Sequence, residues 1–297
     1  MTIAQASTSQ PGKILPDHLQ KALSSVTEIT ALPEITTKIM DVVEDPKATA
    51  NDMHEIVKND PALAAKILKV VNSAFYGLPA QIGSLDRAII MLGLSAVKNI
   101  ALAASLSRLF KPESISDQFA PRDLWKHCIA VGVCAKLLAR ADSKDFAEEV
   151  FVAGLMHDMG LLIEHQLFPD KLKEIADRCF SEPLDFCAVE AEIIGADHQA
   201  FGAALAVKWK FPPGLRNSIA YHHSPMKLKP EFRRLASYIY VADTLCCQNK
   251  HGFWLTAYNQ EVNEVILSAI NQTPETLEAL VSDLPEHIQE AQSIFSE

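Results

Sequence analysis

The chain has 297 residues, 48 % hydrophobic and 22 % charged, which is globular composition with length for one large domain or two of common size. Its 27 Lys and Arg against 37 Asp and Glu leave a net charge of −10, the wrong sign for gripping a phosphate backbone, so no nucleic-acid partner is expected. No apolar run approaches the ~18 residues of a membrane span, and six cysteines without CxxC or framework spacing fit a reduced, cytoplasmic chain.

Taken in chain order, residues 1–15 are small and polar and predict a disordered N-terminus. The opening MTIAQASTSQPGK has no apolar core of a signal peptide. From there the pattern is helical almost throughout. Asn51-Asp52 opens a helix, Asp60-Pro61 opens the next as N-cap and first residue, and Ser84 opens another. The helix ALAAKILKVVNSAFYG is expected to run to Gly77-Leu78-Pro79, and Gly93 divides SLDRAIIML from SAVKNIALAASLSRLF. In the turn NSAFYGLP, the side chains of Phe75, Tyr76, Leu78 and Pro79 either pack onto the next helix or form an exposed docking site. The stretch KPESISDQFAPRD (111–123) is a polar linker with two prolines. The predicted fold is therefore all-α, with two packed helical lobes over 16–112 and 113–297.

Chemistry separates the two halves. Between residues 20 and 110 the only histidine is His54; beyond the linker, His and Asp enter the apolar stripes. From His127, helical steps reach Val131, Cys134 and Leu138. The segment FVAGLMHDMGLLIEH surrounds His157-Asp158 with apolar side chains, and Gly160 is expected to loosen the helix there. Read as one helix, EIIGADHQAFGAALAVKW stacks His198 with Ile194, Phe201, Leu205 and Trp209. The helix PPGLRNSIAYHHSP stops before Pro225 and puts His222 and His223 in its last turn. In RRLASYIYVADTLCC, Asp243 lies between Ile239 and Cys246. Any one of these is compatible with a satisfied core residue. Seven together cannot be buried cheaply unless something organises them. One or two divalent transition metals (Fe, Mn, Zn or Ni) would do so.

The series His127, His157-Asp158, His198, His222-His223, Asp243 resembles the HD superfamily of metal-dependent phosphohydrolases. With LPEITTKIMDVVEDP, IVKNDPALAAKILKVVNSAFYGLP and YHHSP, the chain more narrowly resembles HDOD proteins, the HD-related output domains of bacterial signalling. The resemblance implies one HDOD-type unit over about 20–255 plus C-terminal helices, its second lobe an HD-type bundle. It makes His127, His157, Asp158 and Asp243 core metal ligands, matches His198, His222 and His223 to the added histidines of dinuclear relatives, and offers Asp158 as a water-orienting carboxylate. Two departures stand out. Those relatives carry lysine where this chain has Leu161, and a Gly-Tyr-Pro segment where it reads HHSPMKL. Cyclic di-GMP hydrolysis of the Gly-Tyr-Pro type is therefore not expected. Two functions remain: a regulatory signalling module with a protein partner or self-association and room for a small phosphorylated ligand, or a metal-dependent phosphohydrolase in which Lys227, Arg233 or Arg234 replaces the missing lysine.

Overall fold

The computed structural model describes residues 15–25, 34–45, 47–73, 76–110 and 118–295. Phe75 and linker residues 111–117 lie outside them. So does the expected polar tail except Leu15, which is buried in the core. The described residues form α-helices and short 3-10 turns with no β-strand.

Local chemistry sets the helix ends. Helix α3 (Ala50–Val57) starts at a Thr49–Asp52 capping box, one residue earlier than Asn51-Asp52 suggested. Asp60 and Ser84 cap α4 (Pro61–Val71) and α5 (Leu85–Leu92) as expected, and Gly93 separates α5 from α6 (Leu94–Leu106). Helix α4 does not reach Gly77. It ends at Val71 because the Asn72 amide donates to the Leu68 and Ile82 carbonyls (2.8 and 2.9 Å) and accepts from Ile82 N–H (2.6 Å), turning the chain at once. The Tyr76 ring offered for docking packs inward. Its hydroxyl reaches Glu148 Oε2 (3.4 Å), and Lys136 Nζ, ion-paired to Glu148 at 2.5 Å, lies 4.2 Å from the ring centroid.

The buried helix α6 packs on α2 (Glu34–Glu44), α4 and α5, and also meets α8 (Lys144–Met156). Beyond the linker, α7 (Pro121–Leu138) is the hub. It packs on α8, α14 (Pro230–Gln248) and the final helix α16 (Pro274–Phe295), which reaches back to α4. Helix α7 begins within the predicted linker because Pro121 suits a helix's first position.

Two segments expected to be continuous are broken. The apolar run 151–165 divides at the His157-Asp158 pair: α8 ends at Met156 and α9 (Met159–Leu167) begins after Asp158. Gly160 does not loosen a helix; it admits a neighbour. A Cβ there would sit 1.9 Å from the His198 carbonyl oxygen, so α9 and α12 (His198–Lys208) meet backbone to backbone. The segment 192–209 is likewise two pieces. Helix α11 (Phe186–Ile193) stops at Gly195, whose φ of +101° favours glycine, and α12 restarts behind its N-cap Asp197. No described helix is long and apolar enough to cross a membrane.

Candidate metal centre

All seven predicted residues converge. His127 comes from α7, His157 and Asp158 from the α8–α9 break, His198 from the start of α12, and Asp243 from α14. His222 and His223 follow the end of α13 (Pro213–Tyr221). Every one but His223 is fully buried. The break at 157–158 answers a geometric difficulty, since neighbours on a continuous helix diverge by about 100°. Leaving the helix there lets both side chains face one centre.

Asp158 lies between two groups of donors. Its Oδ2 is 3.4 Å from His157 Nε2 and 3.8 Å from His127 Nε2. Asp243 Oδ1 completes that group, 3.0 Å from His127 Nε2 and 3.8 Å from His157 Nε2. The other oxygen, Asp158 Oδ1, is 3.3 Å from His198 Nε2 and 3.4 Å from His222 Nε2. His198 Nε2 in turn lies 3.2 Å from His222 Nε2 and 3.1 Å from His223 Nε2.

The outer ring nitrogens show how these imidazoles are held. His127, His157 and His222 donate Nδ1–H to the carbonyls of His251 (3.1 Å), Gly154 (2.7 Å) and Ile219 (2.9 Å). His198 donates to the Glu190 carboxylate (2.8 Å), and His223 to Gln260 Oε1 (3.0 Å). A carbonyl only accepts, so Nδ1 carries the hydrogen and Nε2 is turned inward. Three inward nitrogens at 3.1–3.2 Å repel unless a cation or a proton lies between them. Outer partners of this kind are what orient metal-binding histidines.

The acceptors are equally incomplete. His157 Nε2, both Asp158 oxygens and Asp243 Oδ2 are buried without a hydrogen-bond partner. Burial alone would raise the Asp158 and Asp243 carboxyls, but the surrounding imidazoles hold both well below the usual range. Burial alone would lower His157; Asp158 and Asp243 override it and lift that imidazole to about 10. Burial and His222 push His223 down to about 3, and burial lowers His222 as well. The centre thus sets two anionic carboxylates against the neutral imidazoles of His222 and His223, with a proton on His157 that a cation would displace, a donor set suited to a divalent transition metal.

Several supporting residues were missed in the sequence. Glu190 holds His198 by both its ring and its backbone N–H. Behind it, burial and the Glu190 charge raise the Glu164 carboxyl well above the usual range. Gln260 and Gln199 fix the ring and backbone of His223. Cys247 was legible as Asp243 plus one helical turn; its buried thiol donates to Asp243 Oδ1 (3.3 Å). Burial, reinforced by Asp243, pushes that thiol's pKa well up.

A cleft of about 650 Å³ reaches the centre at His223 and is bordered by Lys227, Gln199, Tyr240, Asn259 and Gln260. Of the three candidate replacement cations, Lys227 alone borders this cleft. Arg233 donates to the Leu228 carbonyl (2.7 Å), and Arg234 pairs with Asp142. Leu161 is fully buried among apolar neighbours.

The family model described as HDOD domain matches residues 29–225, which hold all the candidate donors except Asp243. A curated relative from Treponema pallidum (strain Nichols), described as an uncharacterized protein, is 24 % identical over 226 residues; these cover 75 % of this chain. The chain spans only 43 % of that relative's length. A crystal structure of an HDOD domain protein with unknown function from Geobacter sulfurreducens superposes with a TM-score of 0.80 at 23 % identity, covering 93 % of this chain and 96 % of the other. A candidate signal transduction protein from Marinobacter aquaeolei VT8 gives 0.76 at 22 % identity, covering 95 % and 65 %.

Proposed function

The chain belongs to the HDOD family, and on that premise we propose that it is a regulatory module of bacterial signal transduction built round a divalent-metal centre. The observation that carries the metal is the inward set of Nε2 atoms facing two carboxylates, of which both Asp158 oxygens and Asp243 Oδ2 are buried without a hydrogen-bond partner. In this reading His127, His157, Asp158 and Asp243 hold one ion. His198, His222 and His223 hold a second through the other oxygen of Asp158. Bound there, a divalent ion would supply Lewis acidity and lower the pKa of a coordinated water. The regulatory assignment is supported by Leu161, a core side chain at the position where hydrolytic relatives carry a phosphate-neutralising lysine. The Marinobacter protein's description points the same way. Such a module acts through a protein partner or a second copy of itself, with the cleft at His223 admitting a small phosphorylated ligand.

The cleft also favours a second reading, a metal-dependent phosphohydrolase acting on a nucleotide or other phosphate ester. Lys227, which borders the same cleft as His223, could neutralise a phosphate that enters there. Asp158, between the two donor groups, would orient the attacking water. One experiment separates the readings. The purified chain is analysed for Fe, Mn, Zn and Ni and assayed with phosphomonoesters, nucleotides and cyclic dinucleotides in added Mn²⁺ or Fe²⁺. Bound metal without turnover is expected. Turnover above the blank would replace the regulatory reading by the hydrolase, and failure to bind any of the four ions would remove both.

A further inference from the structure

Asp243 and Cys247 are four residues apart on α14, so their side chains share one face of the helix. The Cys247 sulfur lies 3.3 Å from Asp243 Oδ1, 4.0 Å from His127 Nε2 and 3.5 Å from Thr256 Oγ1, wholly buried. His127 Nε2 and Asp243 Oδ1 are themselves 3.0 Å apart. Around one tetrahedral ion, with bonds of ~2.0–2.1 Å to N and O and ~2.3 Å to S, neighbouring ligand atoms are separated by roughly 3.3–3.6 Å. The observed triangle brackets that spacing. A second, independent feature marks the same place: Asp243 Oδ2 is buried with no hydrogen-bond partner. Cys128 and Cys246 follow His127 and precede Cys247 in sequence, but each lies about 100° round its helix. Neither joins a group of converging donors among the described residues.

We propose that Cys247 is a thiolate ligand of an ion held with His127 and Asp243, giving this centre a preference for thiophilic divalent ions such as Zn²⁺ and Co²⁺ over Mn²⁺. The inference rests on the metal reading given above. On ligation the S–H bond breaks and a sulfur–metal bond forms, and the proton leaves to water. The hydrogen bond to Asp243 Oδ1 is then given up in favour of a shared ion. A sulfur among oxygen and nitrogen donors shifts selectivity because soft ligands favour the softer cations.

The test uses the full chain, stripped with a chelator and reloaded with Co²⁺. The wild type should show a near-ultraviolet sulfur-to-cobalt charge-transfer band. Cys247→Ser should lose it, while Cys128→Ser, Cys246→Ser and Cys187→Ser, the last converging with Glu190 and His198, keep it. Zn²⁺ affinity of Cys247→Ser should fall at least about tenfold, with Mn²⁺ affinity changed far less. Cobalt bound by the wild type without a charge-transfer band overturns the thiolate ligand and leaves the metal reading intact. A band that survives in Cys247→Ser does the same. Failure to bind cobalt at all overturns both. If circular dichroism shows Cys247→Ser unfolded, the wild-type spectrum with the three control variants decides: a band in the wild type, Cys128→Ser, Cys187→Ser and Cys246→Ser supports the assignment, and its loss in any folded control overturns it.

Discussion

Two sets of buried charged groups in this molecule are built on opposite terms. Lys136 and Glu148 join α7 to α8, with the Tyr76 hydroxyl on the carboxylate and the lysine over the tyrosine ring. Each charge there has its counter-charge and its hydrogen bonds. Burial draws the Lys136 ammonium pKa down, and Glu148 partly restores it. The histidine–aspartate centre is at least as deeply buried, yet it leaves both Asp158 oxygens, Asp243 Oδ2 and His157 Nε2 without a hydrogen-bond partner. The same burial thus produces a closed structural pair in one place and an open donor set in the other. Completeness of hydrogen bonding, not burial, separates a stabilising pair from a binding site.

The contrast is broken most severely at Asp158, whose two oxygens serve both donor groups. Asp158→Asn should abolish metal retention, read as ion content per chain after gel filtration. Retention of two ions at wild-type affinity would contradict its central position. At the structural pair, Lys136→Met leaves Glu148 nearly buried without its partner. With the pair's residual exposure discounted, this should cost about 2–3 kcal/mol of unfolding free energy in a urea titration. Its metal stoichiometry should be unchanged, since Lys136 engages Glu148 and the Tyr76 and Phe151 rings.

Smaller effects sharpen the comparison. Gln260→Leu removes the acceptor that turns His223 Nε2 inward. Metal affinity at the His198–His222–His223 group should drop by roughly tenfold, measured by calorimetry, while thermal stability changes little. The smallest effect belongs to Glu164. Its folded-state pKa is raised above the ordinary 4.5 by burial and by Glu190. Below 4.5 both folded and unfolded chains hold the proton, and its stabilising contribution is complete. As pH rises past 4.5 the unfolded chain ionises first, so stability is lost until the folded pKa is reached. Glu164→Gln removes this loss and should raise the melting temperature of the metal-free chain by roughly 2–4 °C at pH 8, with no gain at pH 4. An equal shift at both pH values would show that Glu164 is not held neutral.

The helical class and the seven converging residues were legible because periodicity records which face of a helix is buried. Where continuity depended on contacts distant in sequence, it was not legible. The early end of α4 requires Asn72 to meet Ile82, and the break at 157–158 requires five other side chains to draw His157 and Asp158 together. Glu190 reaches His198 only because Gly195 reverses the chain between two helices that read as one. Gln260 lies in a loop without periodicity, so nothing local pointed to its bond with His223. Cys247 differs. Its i+4 relation to Asp243 was visible, but a free cysteine on an apolar helix reads first as core.

The close contact of α9 with α12 at Gly160 sets a mechanical tolerance on the centre. Asp158 lies two residues before that contact, and His198 supplies the carbonyl on its other side. Side chains in a packed core can yield by changing rotamer; two touching backbones cannot. The gap between Asp158 Oδ1 and His198 Nε2 is therefore gauged by main chain, and the pocket cannot shrink around a small ion by drawing these helices closer. Even one methyl group, in Gly160→Ala, would act as a shim between the helices. It would force them apart and widen the His198 side of the centre while leaving every donor in the sequence.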